Sequence, residues 1–391
     1  MRQVIKKEDY RIPVYSWCPN IENSAMTQVD NLARLPFAYK HIVLCPDVHM
    51  GYGMPIGGVM ATKGVVLPNC VGVDVSCGVI AQETSIKNIG MAKVRTIMGD
   101  IRKTIPVGMK SHLVPQDGMP DTTMHDYETP IVMREWDKAK KSLGTLGGGN
   151  HFIEIQQDNQ GVMWIMIHSG SRNLGKQVAD HYNKIAKELN AKYFSEVEKG
   201  QDLAFLPLET WEAQTYLHEM EYCIAYAEAN RNLMMERIRE ILRNNVAMVS
   251  FTNKTFVHVN HNYARMEHHF GENVLVHRKG ATSAKEGELG IIPGSQGTKS
   301  YIVKGKGNRE SFMSCSHGAG RAIGRKEARR TLVLEDEIKR LDEQGIVHSI
   351  RNVNDLDEAA GAYKPIDEVM ANQSDLVEIV TELSPLGCIK G

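Results

Sequence analysis

Two polar residues of the segment VGVDVSCGV have the chemistry and the spacing of metal ligands. Asp74 and Cys77 lie three residues apart among glycines, so a tight turn can bring the carboxylate and the thiolate to one ion. Because the carboxylate is a hard ligand and the thiolate a soft one, the pair suits a borderline ion such as Mn²⁺, Fe²⁺ or Zn²⁺. The alternative is structural, since cysteine often packs as a small buried apolar side chain and aspartate often caps turns.

Three histidines that could complete such a site lie beside predicted strands. His151 follows the glycine run of GTLGGGNHFIEI, His168 ends the apolar segment VMWIMIH, and His261 lies in HVNHNY. Asp47, in CPDVHMGYG, could reach a metal or the water bound to it. Each of them could instead be structural, as a hydrogen-bonded histidine at a strand end or an aspartate that caps a turn.

Candidate contacts to a base and a phosphate lie close to these histidines in sequence. Asn150, Phe152 and Glu154 alternate along the strand predicted for HFIEIQ, so they share one face and could line a pocket. An aromatic ring beside a carboxylate suits guanine, because the ring stacks and the carboxylate accepts from N–H groups. Arg172, in the turn HSGSR, suits a phosphate. A glycine hairpin that leads into a polar strand, with a solvated arginine, is the alternative.

A fourth histidine is a candidate nucleophile. His317, in SCSHGAGR, lies between small residues that leave room for a large ligand, and a neutral imidazole can attack phosphorus. We predict that this segment enters a helix, whose N-terminus and Arg321 would stabilise a phosphate. The turn IIPGSQGTKSY, with Lys299, resembles a phosphate cradle but lacks the P-loop spacing. A histidine in a tight turn remains the structural alternative.

Together these turns predict a metal-dependent phosphoryl or nucleotidyl transfer site. The 391 residues carry a net charge of −1, which gives no general indication of a nucleic-acid partner but leaves room for a local basic patch. The seven cysteines are odd in number and form no CxxC pair, which favours reduced thiols. The N-terminus lacks an apolar signal core, so we expect a cytoplasmic protein with no membrane association.

The elements that position these residues read as an α+β fold. Apolar runs cut by glycine and proline predict strands in the first 85 residues, at 151–156 and 162–168, and around 273–278 and 301–304. Helical spacing is found near 88–104, over 175–200 and 208–245, and near 324–345 and 366–383. Polar residues 107–130 predict a surface excursion. We expect a single domain over 1–391, with mixed and antiparallel sheets around a central metal and nucleotide cleft and a helical insertion at about 175–247.

A series of strings across the chain resembles the motif series of RtcB RNA ligases. They occur in the family's order from residue 41 to residue 391. The strings are PDVHMGYGMPIGG, GVDVSCG, GTLGGGNHFIEI, HSGSR, HNY, RKGATSA, IIPGSQGTKS, SCSHGAGR, AYKPID and the terminal KG. Long strings in series are far more specific than any one motif.

The resemblance implies a catalytic centre with two manganese ions. It implies that Cys77 bridges both ions, that Asp74 and His151 complete one site, and that His168 and His261 complete the other. It also implies that His317 becomes guanylylated by GTP, and that Asp47 and Arg172 lie beside the metals and the RNA phosphate. The positions that match nucleotide-binding residues of the family are Asn150, His151, Phe152, Ile153, Glu154, His261, Asn262, Pro293, Gly294, Ser295, Gln296, Ser300, His317, Gly318, Ala319, Gly320, Tyr363 and Lys390.

The implied reaction joins an RNA 3′-phosphate or 2′,3′-cyclic phosphate end to a 5′-hydroxyl end. GMP passes from His317 to the 3′-phosphate, and the 5′-hydroxyl then displaces it. The implied role is RNA repair or tRNA splicing, with RNA ends and GTP as partners and an RNA-repair or activating protein as a further one. The alternative is a manganese-dependent cyclic phosphodiesterase that hydrolyses without ligating. Two departures from the family pattern, Ser76 for glycine and Gln296 for methionine, leave every ligand and the nucleophile in place.

Overall fold

Two large β-sheets and a set of helices form the protein in a computed structural model, which describes residues 2–122, 128–195, 197–252 and 254–391. The strands are β1 (Gln3–Ile5), β2 (Val14–Ser16), β3 (Ala38–Tyr52), β4 (Met54–Thr62), β5 (Val65–Val66), β6 (Gly78–Lys87), β7 (Phe152–Asp158), β8 (Val162–Ser169), β9 (Leu206–Pro207), β10 (Val257–Asn260), β11 (Asn262–His269), β12 (Glu272–Lys279), β13 (Ala281–Ser283), β14 (Leu289–Ile292), β15 (Ser300–Gly305), β16 (Ser314–Ser316) and β17 (Val377–Lys390).

The helices are α1 (Asn23–Ala33), α2 (Pro68–Val71), α3 (Met91–Thr104), α4 (Pro130–Ser142), α5 (Arg172–Lys192), α6 (Trp211–Asn245), α7 (Arg325–Thr331), α8 (Leu334–Glu343) and α9 (Ile366–Asn372). Short 3₁₀ turns lie at Lys199–Gln201, Arg309–Ser311, Val353–Glu358 and Ala360–Ala362. None of the helices in the described ranges is long and apolar enough to span a membrane.

One large sheet is mixed and the other is antiparallel, so the predicted α+β class is confirmed. The mixed sheet has the order β1-β2-β3-β4-β12-β11, with β2 parallel to β3. The antiparallel sheet has the order β10-β6-β8-β7-β17-β15-β14. Strand β8 lies inside the second sheet, and all its residues are buried, which explains its unbroken apolar run.

Helices α5 and α6 correspond to the predicted helical insertion at 175–247, whose limits stay a prediction. The side chain of Ser171 caps α5 by accepting from the Gly175 N–H at 3.1 Å. Both helices contribute to a buried apolar cluster, in which Val178 and Tyr182 of α5 pack with Tyr216 and Met220 of α6. Helix α6 is 35 residues long and buries polar as well as apolar side chains.

One secondary-structure prediction for the C-terminal part of the chain is wrong. Residues 366–383 do not form one helix, because helix α9 ends at Asn372 and strand β17 begins at Val377. β17 is a central strand, so pairing with β7 and β15 on its two sides outweighs the helical spacing of its first residues. Of the predicted surface excursion at 107–130, residues 107–122 and 128–129 lie outside helices and strands, and Pro130 already begins helix α4. Residues 123–127 lie outside the described ranges.

Candidate metal and nucleotide site

Neighbouring strands of the antiparallel sheet bring the predicted metal ligands to one edge. Gly78 at the start of β6 pairs with Ser169 at the end of β8 and with Asn260 at the end of β10. Phe152 at the start of β7 pairs with His168. Since Cys77, His151 and His261 are each next in sequence to one of these paired residues, all four strands deliver a ligand to the same place.

The turn before β6 carries two of the ligands. Its backbone closes through the Cys77 N–H, which donates to the Asp74 carbonyl at 3.1 Å. Ser76 adopts a left-handed conformation with φ of 67°, where a residue with a Cβ is strained by about 1 kcal/mol. The side-chain amide of Asn262 donates to the Asp74 carbonyl at 2.9 Å and fixes the turn against β11. The strain at Ser76 gives a physical reason for the family's glycine at this position.

The ligand atoms form two triads that share the sulfur of Cys77. One triad is Asp74, Cys77 and His151, and the other is Cys77, His168 and His261, with the donor atoms of each within 4.8 Å of one another. The Sγ atom lies 3.4 Å from Nε2 of His151 and 3.1 Å from Nε2 of His168. Nε2 of His168 in turn lies 3.4 Å from Nε2 of His261. A carboxylate, a thiolate and three imidazoles suit a pair of borderline divalent cations.

Burial and neighbouring groups set the protonation of these side chains. Nδ1 of His151 lies 3.1 Å from the Leu146 carbonyl, which can only accept, and Nε2 lies 3.2 Å from Oδ2 of Asp74, so a ring with its proton on Nδ1 can present the Nε2 lone pair to a cation beside Asp74. Burial, followed by the charge of neighbouring imidazoles, holds the pKa of His168 and of His261 well below the ordinary value. Burial, followed by the charge of Asp74, raises the pKa of the Cys77 thiol, so its ionisation requires a nearby positive charge. The donor set therefore fits the implied metals.

His317 lies beside the second triad and is oriented by Asp47. Its ring centroid is 4.8 Å from that of His261. Nδ1 of His317 lies 2.7 Å from Oδ2 of Asp47, and the His317 backbone N–H donates to the same oxygen at 3.1 Å. Burial opposes ionisation of Asp47, but the hydrogen bond from His317, together with nearby positive charge such as that of Lys364, outweighs it and lowers the pKa of Asp47. An ionised Asp47 can only accept, so Nδ1 carries the proton and Nε2 keeps its lone pair.

The prediction that His317 enters a helix is wrong. The segment 317–324 is irregular, and the next helix, α7, begins only at Arg325. Gly320, with φ of 73°, explains the irregular path, because a Cβ there would lie 2.3 Å from the Asp47 carbonyl oxygen. A phosphate near His317 therefore faces arginine side chains and irregular backbone in place of a helix N-terminus.

A cavity opens beside His317, and most of the predicted nucleotide positions line it. Those that do are Asn150, Phe152, Glu154, Pro293, Gly294, Ser295, Gln296, His317, Gly318, Ala319, Gly320, Tyr363 and Lys390. The cavity also meets His168 of the metal cluster, so the candidate nucleotide site and the candidate metal site are continuous.

The cavity lining combines an aromatic ring, an ammonium group and a buried carboxyl group. The ammonium of Lys390 lies 5.4 Å from the ring centroid of Phe152. The Glu154 carboxyl accepts from the Gln156 side-chain amide at 2.7 Å, and burial raises the pKa of Glu154 to about 7. Near neutral pH this carboxyl can thus accept from or donate to a base edge, while the phenyl ring offers a face for stacking.

The cavity lining also contains charged residues that the sequence reasoning undervalued or missed. Arg321 had been identified, but Arg325 and Glu358 had not, and both line the cavity. Glu358 pairs with Arg325 at 2.8 Å and with Arg321 at 3.3 Å. Tyr363 donates a short hydrogen bond to Glu358 and is bridged to Arg321 through the backbone. The four-residue spacing of the arginines in RAIGR was the available signal, whereas Glu358 had none.

Several predicted site residues lie around the cavity and outside its lining. The Ile153 side chain packs in a core cluster on the opposite face of β7, which its alternation with Phe152 requires. Asn262 bonds to the Asp74 turn, and Ser300 accepts from Gly294 N–H at 3.2 Å. Lys299 forms an exposed ion pair with Glu382 at 2.6 Å. The side chains of these four residues support or flank the site.

Arg172 and Gln296 form hydrogen bonds to neighbouring segments at the edges of the site. The Arg172 guanidinium donates to Oγ1 of Thr145 at 2.8 Å and covers Gly147, where a Cβ would lie 2.1 Å from one of its nitrogens. Gln296 donates to the Glu358 carbonyl at 2.9 Å, so the departure from methionine ties two cavity walls together. Gly147 is thus needed for close packing beside the metal cluster.

Comparison with known proteins identifies the family of this chain. A family model described as "tRNA-splicing ligase RtcB" matches residues 28–129 and 119–391. The chain belongs to the RtcB family. Among its RtcB relatives, the RNA-splicing ligase RtcB of Escherichia coli K12 is 37% identical, covering 97% of each chain. The RNA-splicing ligase RtcB of Mycobacterium tuberculosis is 33% identical over 93% of this chain and 100% of its own. The tRNA-splicing ligase RtcB of Thermococcus kodakarensis is 31% identical over 95% of this chain and 92% of its own.

Proposed function

We propose that this protein is an RNA ligase that joins a 3′-phosphate end to a 5′-hydroxyl end, with GTP and two Mn²⁺ ions, through guanylylated His317. The observation that carries the proposal is the placement of His317, with Nδ1 on Asp47 and the ring against His261 of the metal cluster. A nucleophile that is oriented by a carboxylate and adjoins a cation site is what nucleotidyl transfer to a side chain needs. RtcB membership and the ligase names of the relatives support the same reaction.

Asp74, Cys77, His151, His168 and His261 would hold the two ions. Such ions neutralise and orient the phosphates of the nucleotide and of the RNA end. Cys77 is suited to the shared position because a thiolate sulfur has lone pairs for both ions, and its Sγ lies between Nε2 atoms of two histidines. This ligand set explains why four chain segments converge at one edge of the sheet.

GTP would bind with its base between Phe152 and the residues around Glu154. The phenyl ring stacks on the purine, and the ionised Glu154 carboxyl accepts from the N–H groups that guanine has and adenine lacks. Lys390, over the Phe152 ring, supplies a positive charge on the same wall. Arg321 and Arg325 supply further positive charge in the cavity lining, where Glu358 holds them.

The first step is attack of the His317 Nε2 lone pair on the α-phosphorus of GTP. A phosphorus–nitrogen bond forms, the bond to the bridging oxygen breaks, and pyrophosphate leaves with that electron pair. The imidazole gains positive charge, because Nδ1 keeps its proton, and the Asp47 carboxylate stabilises that charge. An arrangement of this kind lowers the barrier to transfer without moving the proton.

The later steps consume the guanylylated histidine. An oxygen of the RNA 3′-phosphate attacks the same phosphorus, which breaks the phosphorus–nitrogen bond and leaves a GMP-activated 3′ end. The 5′-hydroxyl oxygen of the second RNA then attacks the 3′ phosphorus and loses its proton to solvent, while the phosphoanhydride bond breaks and GMP leaves with that electron pair. A 2′,3′-cyclic phosphate end would first be hydrolysed to a 3′-phosphate. Division into two transfers replaces a poor leaving group by a good one. RNA repair or tRNA splicing is the role that this chemistry serves, alone or with an activating partner protein.

The experiment is ligation of a 3′-phosphate RNA to a 5′-hydroxyl RNA with Mn²⁺ and either GTP or ATP. The expected result is joined product with GTP, little with ATP, and none with His317→Ala. The matched control is His268→Ala, which removes an exposed histidine on β11 and should leave ligation unchanged. Hydrolysis of a cyclic phosphate end without joined product would favour the metal-dependent phosphodiesterase, which needs the metal ligands but not His317.

A further inference from the structure

Two adjacent polar residues in the middle of helix α6, Asn230 and Arg231, are completely buried. Burial of a guanidinium is costly unless its donors are used. Within the ranges that the structure describes, no carboxylate lies at ion-pair distance from Arg231, so a salt bridge does not offset this cost. The hydrogen bonds that both side chains make instead lead to the backbone segments of the metal cluster.

Arg231 bonds to three of these segments at once. One terminal nitrogen donates to the Ser169 carbonyl at 2.7 Å and to the Ser76 carbonyl at 3.4 Å. The other donates to Oδ1 of Asn260 at 2.8 Å. Each partner is next in sequence to a cation ligand: Ser76 to Cys77, Ser169 to His168 and Asn260 to His261.

The third nitrogen of the guanidinium, Nε, fixes the orientation of the Arg231 side chain. Nε of Arg231 donates to Nε2 of His258 at 2.9 Å, so His258 is neutral and carries its proton on Nδ1. The packing is also close, because a Cβ on Gly78 would lie 3.1 Å from the central carbon of the guanidinium. The planar fork therefore has one orientation in which all its contacts are made.

Asn230 is connected to the fourth ligand-bearing segment, that of His151, by hydrogen bonds to the loop before β7. Its Oδ1 accepts from the N–H groups of Gly144 at 2.7 Å and Thr145 at 3.1 Å. Its Nδ2 donates to the Thr145 carbonyl at 3.2 Å and to Oγ of Ser169 at 3.1 Å.

The next residue of that loop, Leu146, connects these contacts to the histidine. The Leu146 carbonyl accepts from Nδ1 of His151 at 3.1 Å and from the Ser169 hydroxyl at 2.7 Å. The position of the His151 ring therefore depends on the loop segment that Asn230 holds.

We propose that Asn230 and Arg231 are positioning residues that set the mutual spacing of the four ligand-bearing segments, and thereby the affinity of the cluster for paired divalent cations. The inference rests on the proposed function only in its premise that the cluster binds cations. It gives helix α6 a role in the site, although no residue of that helix is a ligand. Residues that orient ligands without touching the metal typically affect metal affinity by about 10- to 100-fold.

Arg231→Lys is the informative substitution, since it keeps the charge and most of the stem but lacks the planar fork. A lysine ammonium has three donors on one nitrogen and cannot replace the contacts that the three guanidinium nitrogens make to separate acceptors. The matched control is Arg239→Lys on the same helix. The Arg239 guanidinium donates to Gln82 at 2.7 Å, away from the ligand segments. Asn230→Asp is the second variant, because it loses the donors to Thr145 and Ser169 at nearly constant volume.

The experiment titrates the metal-free proteins with Mn²⁺ by calorimetry and with Co²⁺ by absorption, following the thiolate-to-cobalt charge-transfer band. Wild type and Arg239→Lys should bind alike. Arg231→Lys and Asn230→Asp should bind Mn²⁺ about 10- to 100-fold more weakly and show an altered cobalt band. The rise in melting temperature that Mn²⁺ causes, compared within each variant, separates lost cation affinity from general destabilisation.

The outcomes test the positioning role and the proposed function separately. Arg231→Lys and Asn230→Asp proteins that keep wild-type Mn²⁺ affinity and cobalt spectrum would overturn the positioning role. Should Arg231→Lys fail to fold, the Asn230→Asp titration decides alone. Wild-type protein that binds neither Mn²⁺ nor Co²⁺ would instead contradict the proposed function, so the two failures are distinguishable.

Discussion

Nδ1 of His317 lies 2.7 Å from Oδ2 of Asp47, although the two residues are 270 positions apart in sequence. Lys364 holds the backbone on either side of Asp47. Its ammonium donates to the Pro46 carbonyl at 3.2 Å and to the Val48 carbonyl at 2.6 Å. The backbone N–H of His317 also donates to Oδ2 of Asp47. The imidazole is therefore held in one tautomer and one orientation before any substrate binds.

Replacement of Asp47 by asparagine should slow guanylylation of His317 by at least about 100-fold. The amide can still accept from Nδ1, but it lacks the negative charge that stabilises the imidazolium formed on attack. Single-turnover labelling with GTP measures the rate, and equilibrium GTP binding should stay near the wild-type value. Asp9→Asn, at an exposed aspartate that pairs with Arg34, is the control. A rate within threefold of wild type would show that Asp47 has no electrostatic role.

Removal of the shared sulfur should abolish both cation sites together. In Cys77→Ala each triad loses a ligand, so we expect fewer than one tightly bound Mn²⁺ per chain and no guanylylation. Metal analysis after gel filtration gives the stoichiometry. Cys223→Ala removes a cysteine that is buried in the helical core and should retain two ions. Retention of one tightly bound ion in Cys77→Ala would show that the two sites are independent.

Glu154 should make GTP binding depend on pH. Its pKa is raised by burial to about 7, so the carboxyl becomes a full acceptor only as pH rises through 7, and GTP affinity should increase over the same range. Glu154→Gln should bind GTP about 10- to 100-fold more weakly at pH 8, because a charged hydrogen-bond acceptor is lost. Binding of a fluorescent GTP analogue at pH 6 and pH 8 tests this. Equal affinity of the variant and the wild type at pH 8 would exclude Glu154 from base recognition.

The same pKa has a consequence for stability. The folded-state pKa of about 7 lies above the ordinary value of 4.5, so the folded state binds more protons over that interval. Stability should therefore decrease as pH rises from about 4.5 to about 7, by up to about 3 kcal/mol from this group. Glu154→Gln should lose that dependence. Urea unfolding of both proteins at pH 5 and pH 8 measures the difference, and identical pH profiles would contradict the assignment.

Lys390→Ala should weaken the use of GTP and leave the metal cluster intact. The ammonium lies over the Phe152 ring and lines the cavity, so its loss removes both a positive charge and a cation–π contact of about 1 kcal/mol. The KM for GTP in guanylylation should rise while bound Mn²⁺ is unchanged. Lys299→Ala, which removes an exposed lysine paired with Glu382, is the control. An unchanged KM would remove Lys390 from the nucleotide site.

Local patterns sufficed for the strands β6, β7 and β8, which carry or adjoin four of the ligands, but not for β10, which precedes His261. Glycine-rich turns after apolar runs indicated where Cys77, His151 and His168 would lie, because alternation and turn chemistry are local properties. Their convergence required long-range pairing of β6, β7, β8 and β10, for which the family resemblance was the only guide. The wrong helix at 366–383 arose since sheet pairing overrides helical spacing.

The residues that local sequence patterns did not reveal make their contacts with residues that are far away in sequence. Arg231 and Asn230 looked like ordinary polar positions of a long helix, and only the fold shows that their side chains point into the ligand segments. Glu358 is one acid among 47 acidic residues until the 3₁₀ turn at Val353–Glu358 brings it to Arg325. Buried polar networks of this kind depend on tertiary packing and leave no periodic signal in the sequence.

Mass spectrometry of the protein after incubation with GTP and Mn²⁺ tests the central claim most directly. The account predicts one GMP adduct per chain, on the peptide that contains His317, labile to acid and absent from His317→Ala. An adduct on another residue, or no adduct in protein shown to bind two Mn²⁺ ions and GTP, would contradict it.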